Sequence, residues 1–273
     1  MRLRWRWKVR RGVGVHMLGK TLKVFWWTSL ASEMEYRANF VTSSLYAVGQ
    51  LAGTMLTINV LYDKGYQPGW KLEESYLIVG LFTLFDGITS SVLSPNLSRI
   101  VAHVQRGTLD FILLKPVDAQ FQLSTRNLTP WGFPNILLAL GLLIYAVVKI
   151  PLPWHALVLG IIPMLLALVI LYSLWYAVAT TTIWFTKVWN ATEVLRSFVE
   201  AGKYPMSAYP SGVRFFLTFV LPVAFLTTVP AEVMRGLKGP VFILIEAGLA
   251  LGLFVASRLF WKLALRSYTS ASS

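Results

Sequence analysis

The sequence predicts an all-α integral membrane protein: six transmembrane helices, an interfacial helix ahead of the first, and a cytoplasmic helical element between the second and third. Three observations carry this prediction. Charged residues make up 14% of 273 positions against 56% hydrophobic, with mean hydropathy +0.60; an ordinary soluble domain carries about 25% charge. The apolar residues fall in runs of roughly 20, the length that crosses a hydrocarbon core of ~30 Å as a helix. Lys and Arg lie between these runs with a strong sidedness. This composition argues against disorder and against a soluble enzyme. Zero cysteines remove disulfides, thiolate metal sites, iron–sulfur clusters and thiol nucleophiles. The net charge of +13 is compatible with nucleic acid. In a membrane chain, however, Lys and Arg collect on cytoplasmic loops beside anionic lipid, and no nucleic-acid partner is expected.

Residues 1–39 read as a basic arm and an interfacial helix. The arm lacks the apolar core and small-residue cleavage site of a signal peptide. From 20 to 37, Leu22, Phe25, Trp26, Leu30 and Met34 share one face, opposite Lys20, Lys23, Glu33, Glu35 and Arg37, the pattern of a helix lying in the headgroup region. Residues 40–273 form one transmembrane domain. Spans fall at about 40–61, free of charge; 76–97, with Asp86 alone; 131–148; 154–185; 215–229, short and interrupted by Pro222; and 240–259, with Glu246 and Arg258. No charged residue occurs between Lys149 and Lys187, a stretch that as one helix runs roughly 55 Å. Read as one long helix kinked at Pro163, it gives six spans, with 20 of the 25 Lys and Arg on the inner side. Splitting it into a hairpin lowers that number to 15. Six spans and both termini cytoplasmic therefore fit the positive-inside rule better. Trp70 and Trp154 fall at outer span ends, and Trp26, Trp27, Trp131, Trp184, Trp189 and Trp261 at inner ends, as an interfacial belt.

Gly14, Gly19, Lys20 and Thr21 match a phosphate-loop pattern. The preceding Arg/Trp alternation is not a buried strand, so a nucleotide site is not supported. His16, His103 and His155 fall in separate loops, which gives no metal constellation and no catalytic triad. Asn96, Asn127 and Asn190 begin Asn-x-Ser/Thr strings at or beyond inner span ends, out of reach of glycosylation.

Asp86 and Glu246 carry more weight, because a carboxylate within a span costs ~2.5–3.5 kcal/mol on insertion scales and seeks a polar interior. Either they lock helices together, or they line a cavity favouring cationic or amphipathic cargo. Asp86, flanked at helical spacing by Thr83, Thr89 and Ser90, is the stronger candidate. Gly49/Gly53 and Gly248/Gly252 are G-x-x-x-G pairs, which allow close helix contact within one subunit or between two. Between Pro95 and Arg126, an apolar stripe of Leu97, Ile100, Val101 and Val104 is broken at Gly107. Leu109 to Leu114 then run to a stop at Pro116. The run is too short to cross, so this two-piece element seeks either headgroups or a protein partner.

The helix ending Glu35-Tyr36-Arg37-Ala38-Asn39-Phe40, the six spans, and the string from Arg106-Gly107-Thr108-Leu109-Asp110 to Lys115-Pro116 resemble the ABC-2 class of ABC-transporter permeases. The resemblance extends to Lys203-Tyr204-Pro205, Tyr209-Pro210 and the stretch from Leu221-Pro222 to Val229-Pro230-Ala231, similar to a bacterial branch with two permeases beside one ATPase. It assigns no role to residues before Met17. It implies an elbow helix at the N-terminus and a coupling helix between spans two and three, with Arg106, Gly107, Leu109 and Asp110 docking into a cytoplasmic ABC ATPase dimer. ATP and magnesium then belong to that partner, and this chain binds no cofactor and is not itself an enzyme. The implied function is export of hydrophobic or amphipathic compounds across the bacterial inner membrane, beside a second permease, identical or unlike. Two alternatives stand: a membrane anchor for a cytoplasmic partner, and a membrane-embedded lipid-modifying enzyme, which would need a His, Asp and Glu cluster at one interface.

Overall fold

The computed structural model describes residues 15–33, 37–65, 69–115, 117–185 and 189–268. The basic arm with Gly14, Met34 of the interfacial face, Glu35 and Tyr36 of the elbow string, Pro116 and Lys187 lie outside the described residues. Within the described residues every regular element is helical.

Helix α1 (Val15–Glu33) precedes α2 (Arg37–Asp63) and α3 (Leu72–Ile88). Glu73 and Glu74 sit in the first turn of α3, where acidic groups oppose the helix dipole, and the Lys71 amide donates to Glu74 Oε2 at 2.7 Å. A π-helical turn, Thr89–Leu93, carries α3 directly into α4 (Ser94–Gln105). Pro95 is tolerated there because it falls in the first turn of α4, next to the looser π ladder. The continuous rod spans 34 residues, roughly 50 Å, and so overshoots a bilayer core. The stripe of Leu97, Ile100 and Val101, expected to seek headgroups or a partner, is instead buried within the chain, where α4 packs on α8 and α6.

Short helices α5 (Leu109–Leu113) and α6 (Ala119–Thr125) lead to a 3-10 turn, Pro130–Gly132, and α7 (Phe133–Lys149). Helix α7 lies along α3 at backbone contact: a Cβ on Gly132 would sit 2.1 Å from the carbonyl oxygen of Gly87. Helix α8 (Trp154–Thr180) stays a single element with Pro163 inside it. After α9 (Trp189–Glu200), α10 (Ser211–Phe215) runs through a π turn to Val220; Val223–Phe225 and α11 (Thr228–Met234) follow, and then α12 (Pro240–Ser267). Helix α12 packs along α8.

Five helical segments are long and apolar enough to cross a membrane: Ala38–Asp63, Leu72–Gln105, Pro130–Lys149, Trp154–Ile183 and Pro240–Ser267. Ser211–Val220 and Val223–Met234 qualify only together and are bent by 74°. The fifth span read at 215–229 is therefore not one helix; Pro222, with no amide hydrogen, interrupts it. The packing still fits an even number of crossings. Arg235, after α11, pairs with Glu74 Oε1 at 2.6 Å and lies over Trp70. At the opposite end Trp26 donates to the Thr125 carbonyl, and Arg258 of α12 pairs with Asp118. Helix α1 and the last turns of α12 thus share the end that carries α5 and α6, hereafter the loop end.

Among the described tryptophans, two of those read as interfacial are packed inside the chain. Trp27 and Trp154 are exposed, whereas Trp70 is buried under Arg235, and Trp261 is buried against Tyr176. Asn96 and Asn127, both buried, form a clamp: Asn127 N and Nδ2 donate to Asn96 Oδ1 at 2.8 and 3.0 Å, and Arg99 donates to Asn127 Oδ1 at 2.6 Å. No atom lies within 4 Å of a Cβ built at Gly49, Gly53, Gly248 or Gly252, so neither G-x-x-x-G pair makes a contact among the described residues.

Candidate transport groove and partner-facing loop

Asp86 lies roughly 20 Å along α3 from its first turn. Its Oδ2 accepts a hydrogen bond from Asn135 Nδ2 of α7 at 2.7 Å, and Arg196 Nη2 of α9 stands 3.7 Å from Oδ1. The arginine arrives because α9 is amphipathic and turns back into the bundle. Leu195 buries, Phe198 stacks near Phe216, and the following 3-10 turn (Ala201–Lys203) packs on α3. Lys203 comes to rest over the Phe82 ring, 3.4 Å from Glu200 Oε2. Beside Asp86 opens a groove of about 350 Å³, lined by Thr42, Ser43 and Tyr46 of α2, Ser90, Trp131, Asn135 and Arg196. A smaller pocket on the other side of Asp86 includes Gln50, Thr54, Thr83 and Lys203. The groove lies along the second and third turns of α2 and at the first turn of α7, both of which start at the loop end.

Glu246 is elsewhere. It is fully buried on α12, lines neither pocket, and neither carboxyl oxygen has a hydrogen-bond partner. The two membrane carboxylates are not brought into one cavity.

The loop after α4 begins at Gly107, whose φ of +65° lies in the left-handed region that favours glycine. The Gly107 and Thr108 amides donate to the carbonyls of Val104 and His103, closing the helix end, and His103 Nδ1 meets Thr108 Oγ1 at 2.8 Å. This stop turns α5 so that Leu109 and Ile112 are buried, while Phe111 and Leu114 stand 68% and 69% exposed. Arg106 is exposed, and Asp110 lies beside Tyr268. Asp118 caps α6 by accepting from the Phe121 amide, and Arg258 Nη1 bridges Asp118 and Gln120, each at 2.8 Å. Burial pushes the Asp118 carboxyl up, but the bonds from Arg258 and from the Phe121 amide outweigh it and hold the group below its ordinary value. Gln120 and Ser124 both reach the Tyr172 hydroxyl of α8. The segment after α5 is thereby tied to α8 and α12.

A sequence model of the family described as "ABC-2 family transporter protein" matches residues 48–272. The chain belongs to the ABC-2 transporter family. The match takes in most of α2, Asp86 with the groove residues from Ser90 onward but not Thr42, Ser43 and Tyr46, the α4–α5 loop and α12, and ABC-2 permeases are the membrane components of transporters. This permease is accordingly a multi-pass membrane protein of the transport class. Neither the curated proteins nor the solved structures contain a match.

Of the four residues assigned to ATPase coupling, the permease exposes Arg106 and half-exposes Gly107 and Asp110, but Leu109 is fully inside. Gly19, Lys20 and Thr21 of the phosphate-loop pattern fall within α1. Sequence reasoning missed Arg196 and Lys203 as companions of Asp86, and Phe111 and Leu114 as the exposed apolar pair. The alternation of buried Leu109 and Ile112 with Phe111 and Leu114 at helical spacing was the available signal for that pair. Nothing local marked Arg196 as facing a span.

Proposed function

We propose that this permease is the membrane subunit of an ATP-driven exporter that moves a cationic amphipathic compound out of the cytoplasm. ATP and magnesium are held by a separate ABC ATPase dimer, and both termini lie on the cytoplasmic side of a bacterial inner membrane. The observation that carries the reading is the groove at Asp86: acid-bearing and set beside aromatic Tyr46 and Trp131. An Asp within a span is costly unless it serves a cavity, and an organic cation is held by carboxylate and aromatic faces together. Position supports export: a groove at the loop end loads from the side on which the proposed ATPase docks.

Phe111 and Leu114, flanked by basic Arg106 and Lys115, give that ATPase an apolar knob with a charged rim. Closure of the ATPase dimer pushes α5. The push passes through Asp118–Arg258 to α12 and through Ser124–Tyr172 to α8, switching access to the groove. A second permease, identical or related, covers α2, of whose apolar window 11% is buried, compared with 72% for the α3–α4 rod.

The test is reconstitution of the permease with the ATPase and permease encoded beside it, in vesicles with the loop end outward. The expected result is ATP-dependent uptake of tetraphenylphosphonium, reduced about tenfold by Asp86→Asn with assembly and ATP hydrolysis intact. A complex that assembles and hydrolyses ATP without any cargo flux would make the chain an anchor, and the proposal would fail.

A further inference from the structure

We infer that Arg196 is a built-in stand-in for the cargo's positive charge: a tethered guanidinium that pairs with Asp86 and is displaced when an organic cation binds. The inference rests on the proposed cargo reading of Asp86 and adds a specificity-setting residue to it.

Four observations converge. First, Arg196 does not lie on an inner surface loop. Helix α9 folds back so that its buried Leu195 and the Phe198–Phe216 contact bring Arg196 to α3. Second, the pair is loose. At 3.7 Å it lies beyond hydrogen-bond distance, and the arginine side chain is 41% exposed against 15% for Asp86; the closer bond to Asp86 comes from the neutral Asn135 amide at 2.7 Å. With its guanidinium partly in water and no hydrogen bond formed, such a pair contributes little and is easily exchanged. Third, Arg196 and Asp86 line the same open groove, with Trp131 and Tyr46, so an entering cation meets the carboxylate where the guanidinium now stands. Fourth, the neighbouring Lys203 has its own counter-ion, Glu200 at 3.4 Å, and its own ring, Phe82. Exchanging Arg196 for a cargo cation therefore leaves the local charge balanced, and the partly exposed guanidinium moves into water.

The exchange has two consequences. An anionic or neutral amphipath gains no such substitution, because it leaves the Asp86–Arg196 pair in place or leaves Asp86 uncompensated. Helix α9 also connects α8 to the bent pair at Pro222, but Leu195, the Phe198–Phe216 contact and the 3-10 turn on α3 hold it in the bundle, so displacing Arg196 leaves the helix seated.

The experiment is equilibrium binding to the full-length permease in lipid nanodiscs, with tetraphenylphosphonium and its anionic counterpart tetraphenylborate as probes of matched shape and opposite charge. Partition into empty discs is subtracted, and each variant is checked for monodisperse elution. Arg196→Gln should tighten phosphonium binding about fivefold, the effect of removing a half-exposed competing pair. Arg196→Lys should stay near wild type, Asp86→Asn should abolish the binding, and borate should bind weakly throughout. If Asp86→Asn abolishes phosphonium binding while Arg196→Gln leaves it unchanged or weakens it, the stand-in role is overturned and the cargo role of Asp86 survives. If Asp86→Asn has no effect, the cargo reading falls and takes this inference with it. Borate binding that depends on Arg196 would make the residue an anion contact and overturn the inference.

Discussion

Replacing Phe111 and Leu114 together by Ser should uncouple the permease from its ATPase without unfolding it, and Leu109→Ser, two residues from Phe111, should do the reverse. The contrast is worked from burial. Fully burying a Phe or Leu side chain is worth ~1.5–3 kcal/mol. With 68% and 69% of their surfaces exposed in the chain alone, these two side chains have roughly two-thirds of that still to gain, or about 3 kcal/mol for the pair. That corresponds to a complex weakened on the order of 100-fold. Fold stability should change by no more than about 0.5 kcal/mol, the usual cost of an exposed substitution. Leu109 is 0% exposed within the main hydrophobic cluster. Its truncation creates a cavity costing ~2–5 kcal/mol and buries a hydroxyl, so the thermal midpoint should fall by several degrees. The assay is ATPase affinity for nanodisc-held permease by interferometry, paired with thermal unfolding of the same samples. If the Phe111/Leu114 double variant stays folded and keeps its affinity within threefold, the docking face is not this one. If its midpoint falls as far as that of Leu109→Ser, the two side chains are packed against the chain and the argument from exposure is wrong.

Gly132→Ala should cost ~1–3 kcal/mol or more in thermal unfolding, because its Cβ would meet the Gly87 carbonyl at 2.1 Å and backbone cannot yield as a side-chain tip does. Gly53→Ala, with nothing within 4 Å, should leave the isolated permease unchanged. Arg235→Ala strips the buried Glu74 carboxylate of a partner at 2.6 Å and uncovers Trp70; a loss of about 3 kcal/mol is expected, with Glu74→Gln in the same chain recovering part of it in a double-mutant cycle. Asp118, held below its ordinary value of 3.8 in the fold, contributes stability that is present above 3.8 and lost as pH falls through its lower folded value. Acid unfolding should therefore show no Arg258-dependent change from pH 7 to about 5, and Arg258→Met should differ from wild type at neutral pH but converge with it in strong acid.

Hydropathy made the membrane rods legible because burial in lipid demands only length and apolarity. Helices α2, α7, α8 and α12 fall where the runs of residues 40–61, 131–148, 154–185 and 240–259 place them. It located Asp86 for the same reason: one carboxylate in an apolar run stands out whatever surrounds it. What the runs concealed is everything set by a second surface. The stripe of Leu97, Ile100 and Val101 looked partnerless because α8, which covers it together with the nearer α6, lies more than 50 residues away in sequence. Gly87 and Gly132 are 45 residues apart and share no spacing motif, yet they make the tight contact, while the two G-x-x-x-G pairs make none among the described residues. The sidedness argument assigned Arg196 and Lys203 to an inner loop because each follows a charge-free span. Helix α9 then returns into the bundle with both of them. A count of cations per loop assumes that loops stay at the interface. The amphipathic face of α9, with Leu195, Phe198 and Val199 at helical spacing, is what draws the segment inward once α3 and the turn at Pro222 offer it an apolar seat. The groove's charge is thus a property of the packing: Asp86 is readable from the sequence, and its counter-ion appears only when the chain is folded.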